Sequence, residues 1–119
     1  MSDYWPQSTF EAALEVFGPA VYQPTSRTYK ALDGRIRHAL RVWGEKFGPL
    51  NAKQEQYADE ILAFCIRKAQ REAGGDRAKL WPYAQAGIGR AIMSERAETG
   101  MKSRRDTVDG SALLAELLA

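Results

Sequence analysis

His38 and Cys65 are the one histidine and the one cysteine of this chain, and together they bound its chemistry. A single imidazole and a single thiolate cannot build a zinc site of the finger type, nor any site that needs two histidines. Cys65 falls on the apolar face of a helical pattern, where a free thiol behaves as a small buried hydrophobe. As a nucleophile it would need a neighbouring base, and nothing close in the sequence supplies one. His38 falls on a polar face, which favours a solvated ring over a proton-transfer role.

Carboxylates recur at helical spacing in two places, Glu11 with Glu15 and Glu55 with Asp59. Such pairs share a helix face and mildly repel, whereas acid–base work needs an enclosed site, so both pairs are expected on solvated faces. Gly87-Ile88-Gly89 followed by Arg90 has the look of a phosphate-binding turn, but no strand pattern precedes it and the glycines sit inside a helical run. Close helix packing is the better account of these small residues. The sequence contains no P-loop, metal-binding helix or nucleophile elbow. It therefore offers no catalytic residue, no metal site and no cofactor, and the expectation is a non-enzymatic protein.

What remains for function is charge. The net charge is only +2, too mild to announce a nucleic-acid binder by itself, but positive residues concentrate in segments 25–50 and 77–109. In the first segment Arg27, Lys30, Arg37 and Arg41 fall within an arc of about 80° of a helix, opposite its apolar stripe. Gly34 projects into the same sector and leaves a low spot among long cations, with His38 on its border. A helix docked by one face and cationic on the other can lie against a phosphate backbone. It can equally meet an acidic protein partner, or carry charge merely for solubility, with Arg37 paired to Asp33 at helical spacing. In the second segment Lys102, Arg104 and Arg105 lie between Gly100 and Gly110, which reads as a mobile basic loop over residues 99–110. Such a loop is either a nucleic-acid arm or a polar linker.

Two further groups bear on partners. Tyr4-Trp5-Pro6 and Trp81-Pro82-Tyr83 each place aromatics at a proline-initiated helix start. These rings either pack on the core or, if exposed, anchor a binding surface through Trp5, Trp81 and Tyr83. Leu113, Leu114, Leu117 and Leu118 crowd the last nine residues and need a cover, from the domain's own core or from a second subunit in a homodimer.

The elements that must position these residues are helices throughout. Ser8 followed by Glu11 forms a capping-box pattern that starts a helix over residues 8–17, and Gly18-Pro19 stops it. A second helix starts at Thr25 or Ser26 and runs to Phe47, with Tyr29, Leu32, Ile36, Leu40, Trp43 and Phe47 as its stripe. The stripe passes through Gly34 in phase, so the helix is expected to be continuous. Phe47-Gly48-Pro49 repeats the stop chemistry of Phe17-Gly18-Pro19. The third helix runs from near Asn51 to Gly74-Gly75. Its apolar residues, Tyr57 and Phe64 among them, spread over an arc of about 200°, so it belongs at the centre of the fold. Asp76 caps a turn over residues 77–80, Pro82 opens a fourth helix reaching about Ala97, and Ser111 caps a short terminal one.

Hydrophobic residues make up 45% and charged residues 27% of the 119, a composition that suits one globular domain over residues 1–119. A chain of this length buries roughly 65% of its unfolded surface and folds without disulfides or metal. No signal peptide is expected at the N-terminus, and no stretch approaches 18 apolar residues, so the expected location is cytoplasmic and no membrane partner is expected. The fold expected is all-α, a compact orthogonal or bundle-like arrangement of four to five helices with a short C-terminal helix. The functional expectation is a small regulatory protein acting at nucleic acid, DNA or RNA. The alternative is a non-catalytic adaptor or inhibitor of a host protein, of the kind phages and mobile elements encode. A weaker third reading is a small-molecule pocket near Gly87 and Gly89.

Overall fold

The computed structural model describes residues 5–105, and these are all-α. Helix α1 spans Gln7–Phe17 and is followed by a 3-10 turn, Pro19–Tyr22. Helix α2 spans Arg27–Phe47 and α3 spans Ala52–Ala73. A second 3-10 turn, Arg77–Lys79, leads directly into α4, Leu80–Ile92. Residues 95–105 form α5, which reaches the edge of the described residues. No strand occurs among the described residues.

The wide apolar arc of α3 puts it at the centre, as expected. Ala58, Leu62 and Ile66 are fully buried, and α3 packs most extensively against α1 on one side and α4 on the other. Helix α2 crosses α4 and the Pro19–Tyr22 turn, burying Tyr29, Leu32, Ile36, Ala39 and Trp43. Its start is set by Ser26, whose hydroxyl accepts from the Tyr29 N–H at 3.0 Å and donates to the Ala20 carbonyl at 2.8 Å. It is uninterrupted at Gly34. The two Phe-Gly-Pro stops share one geometry: Gly18 has φ +83° and Gly48 φ +76°, a region that disfavours any side chain.

Four expectations are corrected. Helix α1 begins at Gln7, and no Ser8–Glu11 capping box forms. The Ser8 N–H donates instead to Asp59 Oδ2 of α3 at 3.0 Å, and the Thr9 N–H to Asp59 Oδ1 at 2.7 Å. Asp59 is therefore not on a solvated face: it is a helix cap supplied from another element, and a carboxylate is a stronger acceptor than a serine hydroxyl. The fourth helix ends at Ile92 rather than near Ala97, because Ser94 turns the chain and its hydroxyl accepts from the Ala97 N–H at 3.3 Å. Most consequentially, residues 99–105 are helical, not a loop. Gly100 is there because Tyr57 of α3 lies on it so closely that an added Cβ would overlap the ring. The expected loop residues 106–110 and the leucine-rich residues 111–119 lie outside the described residues.

The join of α3 and α5 is polar and buried. Asn51 and Gln54 form a reciprocal capping box at the start of α3. Gln54, fully buried, also donates from Nε2 to the Met101 carbonyl at 3.0 Å and accepts from Arg105 Nη2 at 3.1 Å. One side chain thus satisfies a helix start and ties down α5.

Candidate nucleic-acid interface

The amphipathic spacing of α2 sorts its side chains as the sequence implies. With Leu32, Ile36 and Trp43 committed to the core, Arg27, Lys30, Arg37 and Arg41 are all exposed on the opposite face. At 1.5 Å per residue, Arg27 and Arg41 stand about 21 Å apart along the helix. Arg27, Lys30 and Arg41 make no ion pair among the described residues. Arg37 differs: its Nε is 3.1 Å from Asp33 Oδ2. Asp33 in turn accepts from Trp5 Nε1 at 2.7 Å, so this carboxylate is held on two sides and offsets the charge of Arg37.

Gly34 does leave a low spot. A shallow depression of about 370 Å³ is lined by Ala31, Gly34, Arg35, His38 and Arg41. Arg35 was missed by the sequence reading; it lies outside the 80° arc, yet borders the depression from its other side, as its spacing one residue from Gly34 allows. Arg41 Nη2 lies 3.0 Å from His38 Nδ1. A guanidinium only donates, so Nδ1 is the accepting atom of this contact. The arrangement steadies Arg41 at the rim without adding an opposing charge.

The second basic group does not join this surface. Because α5 is helical, Lys102 falls one turn after Glu98 and pairs with it at 3.3 Å. The Arg104 guanidinium stacks over the Tyr57 ring at 3.7 Å and donates to the Gly100 carbonyl at 3.1 Å. Arg105 Nη2 donates to the Pro49 carbonyl at 2.6 Å as well as to Gln54. Arg104 and Arg105 fasten α5 to Tyr57, Pro49 and Gln54, whereas Lys102 pairs within α5; all three belong to a helix and not to a mobile arm.

The proposed partner surface also changes. Trp5 is only 5% exposed and stacks on Tyr29 with centroids 4.9 Å apart, so it is core rather than an anchor. Trp81 and Tyr83 are half-buried and pack against the core. Leu113, Leu114, Leu117 and Leu118 lie outside the described residues. The large apolar side chains exposed among the described residues are Tyr22, Phe64 and Met93, none of which the sequence marks out as exposed. Phe64 had been assigned to the apolar arc of α3, and its exposure shows that the arc is wider than its neighbours cover.

Among the described residues no group of three His, Cys, Asp or Glu side chains is placed to hold a metal ion, and no helix is long and apolar enough to cross a membrane. No family model, curated protein or solved structure matches this chain.

Proposed function

We propose that this protein is a small non-enzymatic regulator that acts at nucleic acid, laying the exposed face of α2 along a phosphate backbone. The observation that carries the reading is one uninterrupted helix whose inner face is locked into the core while Arg27, Lys30 and Arg41 stand outside without acidic partners among the described residues. Phosphate contacts of this kind position a protein without reading bases. Gly34 lets a phosphate approach the helix backbone between Arg35 and Arg41, with the His38 ring beside it. Arg37 contributes less, because Asp33 already holds it.

The test is fluorescence anisotropy with a labelled duplex and a labelled single strand, across a series of salt concentrations. Each phosphate neutralised contributes roughly 0.9 to the slope of log affinity against log salt on duplex DNA, so replacing Arg27, Lys30 and Arg41 by Gln should lower that slope by about 3. Equal slopes for the native protein and the triple variant would remove the proposal. So would displacement of the duplex by polyglutamate at matched charge, which would indicate an acidic protein surface as the true target.

A further inference from the structure

The wide apolar arc of α3 is not fully covered, and the uncovered part is concave. Between α3, α4 and the start of α5 lies a groove of about 520 Å³, a size typical of small-molecule sites. Gly87 lies against Cys65: a Cβ built there would stand 3.6 Å from the Cys65 Cβ. Ile61, Cys65 and Ala91 form the floor, and Phe64 and Tyr83 supply aromatic walls. Phe64 is 57% exposed, with the Arg71 guanidinium 5.8 Å from its ring centre. Burial raises the pKa of the Cys65 thiol, consistent with an apolar floor.

The rim is charged unevenly. Lys68, Arg90 and Arg96 line it together with Glu60 and Glu72. Lys68 and Glu72 hold each other at 3.6 Å, whereas Arg90 and Arg96 make no ion pair among the described residues. A ligand that satisfies this chemistry is apolar at one end and anionic at the other.

We propose that the groove binds a small amphipathic carboxylate, its aromatic or aliphatic body between Phe64 and Tyr83 and its carboxylate on Arg90 and Arg96. This site is separate from the exposed face of α2 and does not depend on the reading of that face.

The experiment titrates the full chain with anilinonaphthalene sulfonate, an aromatic anion, and then competes the dye with decanoate, decanol and decylamine. One saturable dye site is expected, displaced by decanoate about tenfold more readily than by decanol or decylamine, as a charge-assisted pair implies. Arg90→Gln with Arg96→Gln should remove that preference, and Phe64→Ala should weaken all three competitors; both changes are at exposed positions, so circular dichroism should be unaltered. Cys65, the one thiol, gives a second readout: decanoate should slow its alkylation in the native protein and fail to do so in the double-arginine variant. Equal displacement by decanol, an unchanged preference in the double variant, or dye exclusion that tracks self-association in light scattering would each overturn the proposal.

Discussion

Asp59 of α3 grips Thr9 of α1 twice, accepting at 2.7 Å from its backbone N–H and at 2.7 Å from its hydroxyl. The Ser8 N–H completes the set on the other carboxylate oxygen, and Thr9 is fully buried. Negative charge at a helix N-terminus is favoured by the helix dipole, and here it also ties two elements together. Asp59→Ala should cost about 2–3 kcal/mol, a lost cap plus a buried hydroxyl without a partner. Urea denaturation checks this, and a double-mutant cycle with Thr9→Val should show coupling of roughly 1 kcal/mol. Additive effects would mean the grip carries no stability.

Gln54, at the start of α3, makes a corresponding link to α5. Its replacement by Leu keeps the volume but strands the Asn51 N–H, the Met101 carbonyl and one Arg105 contact. The expected cost is about 2–4 kcal/mol, concentrated at α5. Limited proteolysis should therefore cut within residues 95–105 in Gln54→Leu and not in the native protein.

Gly100→Ala tests the tight contact between α5 and the Tyr57 ring of α3. The new methyl would drive the Tyr57 ring off Gly100 and break its stacking with Arg104. Overpacking of this kind costs about 1–3 kcal/mol, the opposite of the gain that alanine normally brings to a helix interior. A variant as stable as the native protein in thermal denaturation would mean that α5 shifts without penalty.

These three sites show where the sequence could and could not be read. Helix α2 was legible because its periodicity, its Ser26 cap and its Gly48 stop are all encoded within a few residues of one another. The Phe-Gly-Pro stops were legible for the same reason. Gly100 misled because a glycine required by a neighbour some forty residues away looks locally like a loop former. The Ser8–Glu11 pattern misled because Asp59, distant in sequence, offers a stronger acceptor than the local pair. Trp5 was ambiguous until Tyr29 and Asp33 were seen beside it. Of the candidate site, the α2 cations followed from spacing alone. The reassignment of Arg104 and Arg105 to structural contacts depended on tertiary packing.

Glu98 lies between Lys46 at 3.0 Å and Lys102 at 3.3 Å, and their hydrogen bonds, that of Lys46 foremost, lower its pKa below the ordinary 4.5. A carboxylate whose folded pKa is depressed stabilises the fold above the ordinary value and loses that contribution as pH falls through the folded one. The melting temperature of Glu98→Gln should therefore fall short of the native value near neutral pH, and the gap should close in acid. The site is open to water, so the gap should also shrink with added salt. A gap that persists in acid would assign the effect to packing instead of charge.

Gly34→Ala separates the stability of α2 from its use. Nothing lies within 4 Å of an added Cβ at this position, and the residue is exposed within a regular helix. Alanine should therefore raise stability by about 0.5–1 kcal/mol. The same methyl occupies the depression bordered by Arg35, His38 and Arg41. If a phosphate seats there, the more stable protein should bind nucleic acid more weakly at low salt, while its salt slope stays close to native because no cation has been removed. Measured together, denaturation and anisotropy would move in opposite directions. A variant that gains stability and keeps its affinity would leave the long cations as the whole interface and Gly34 as no more than a tolerated gap in the helix.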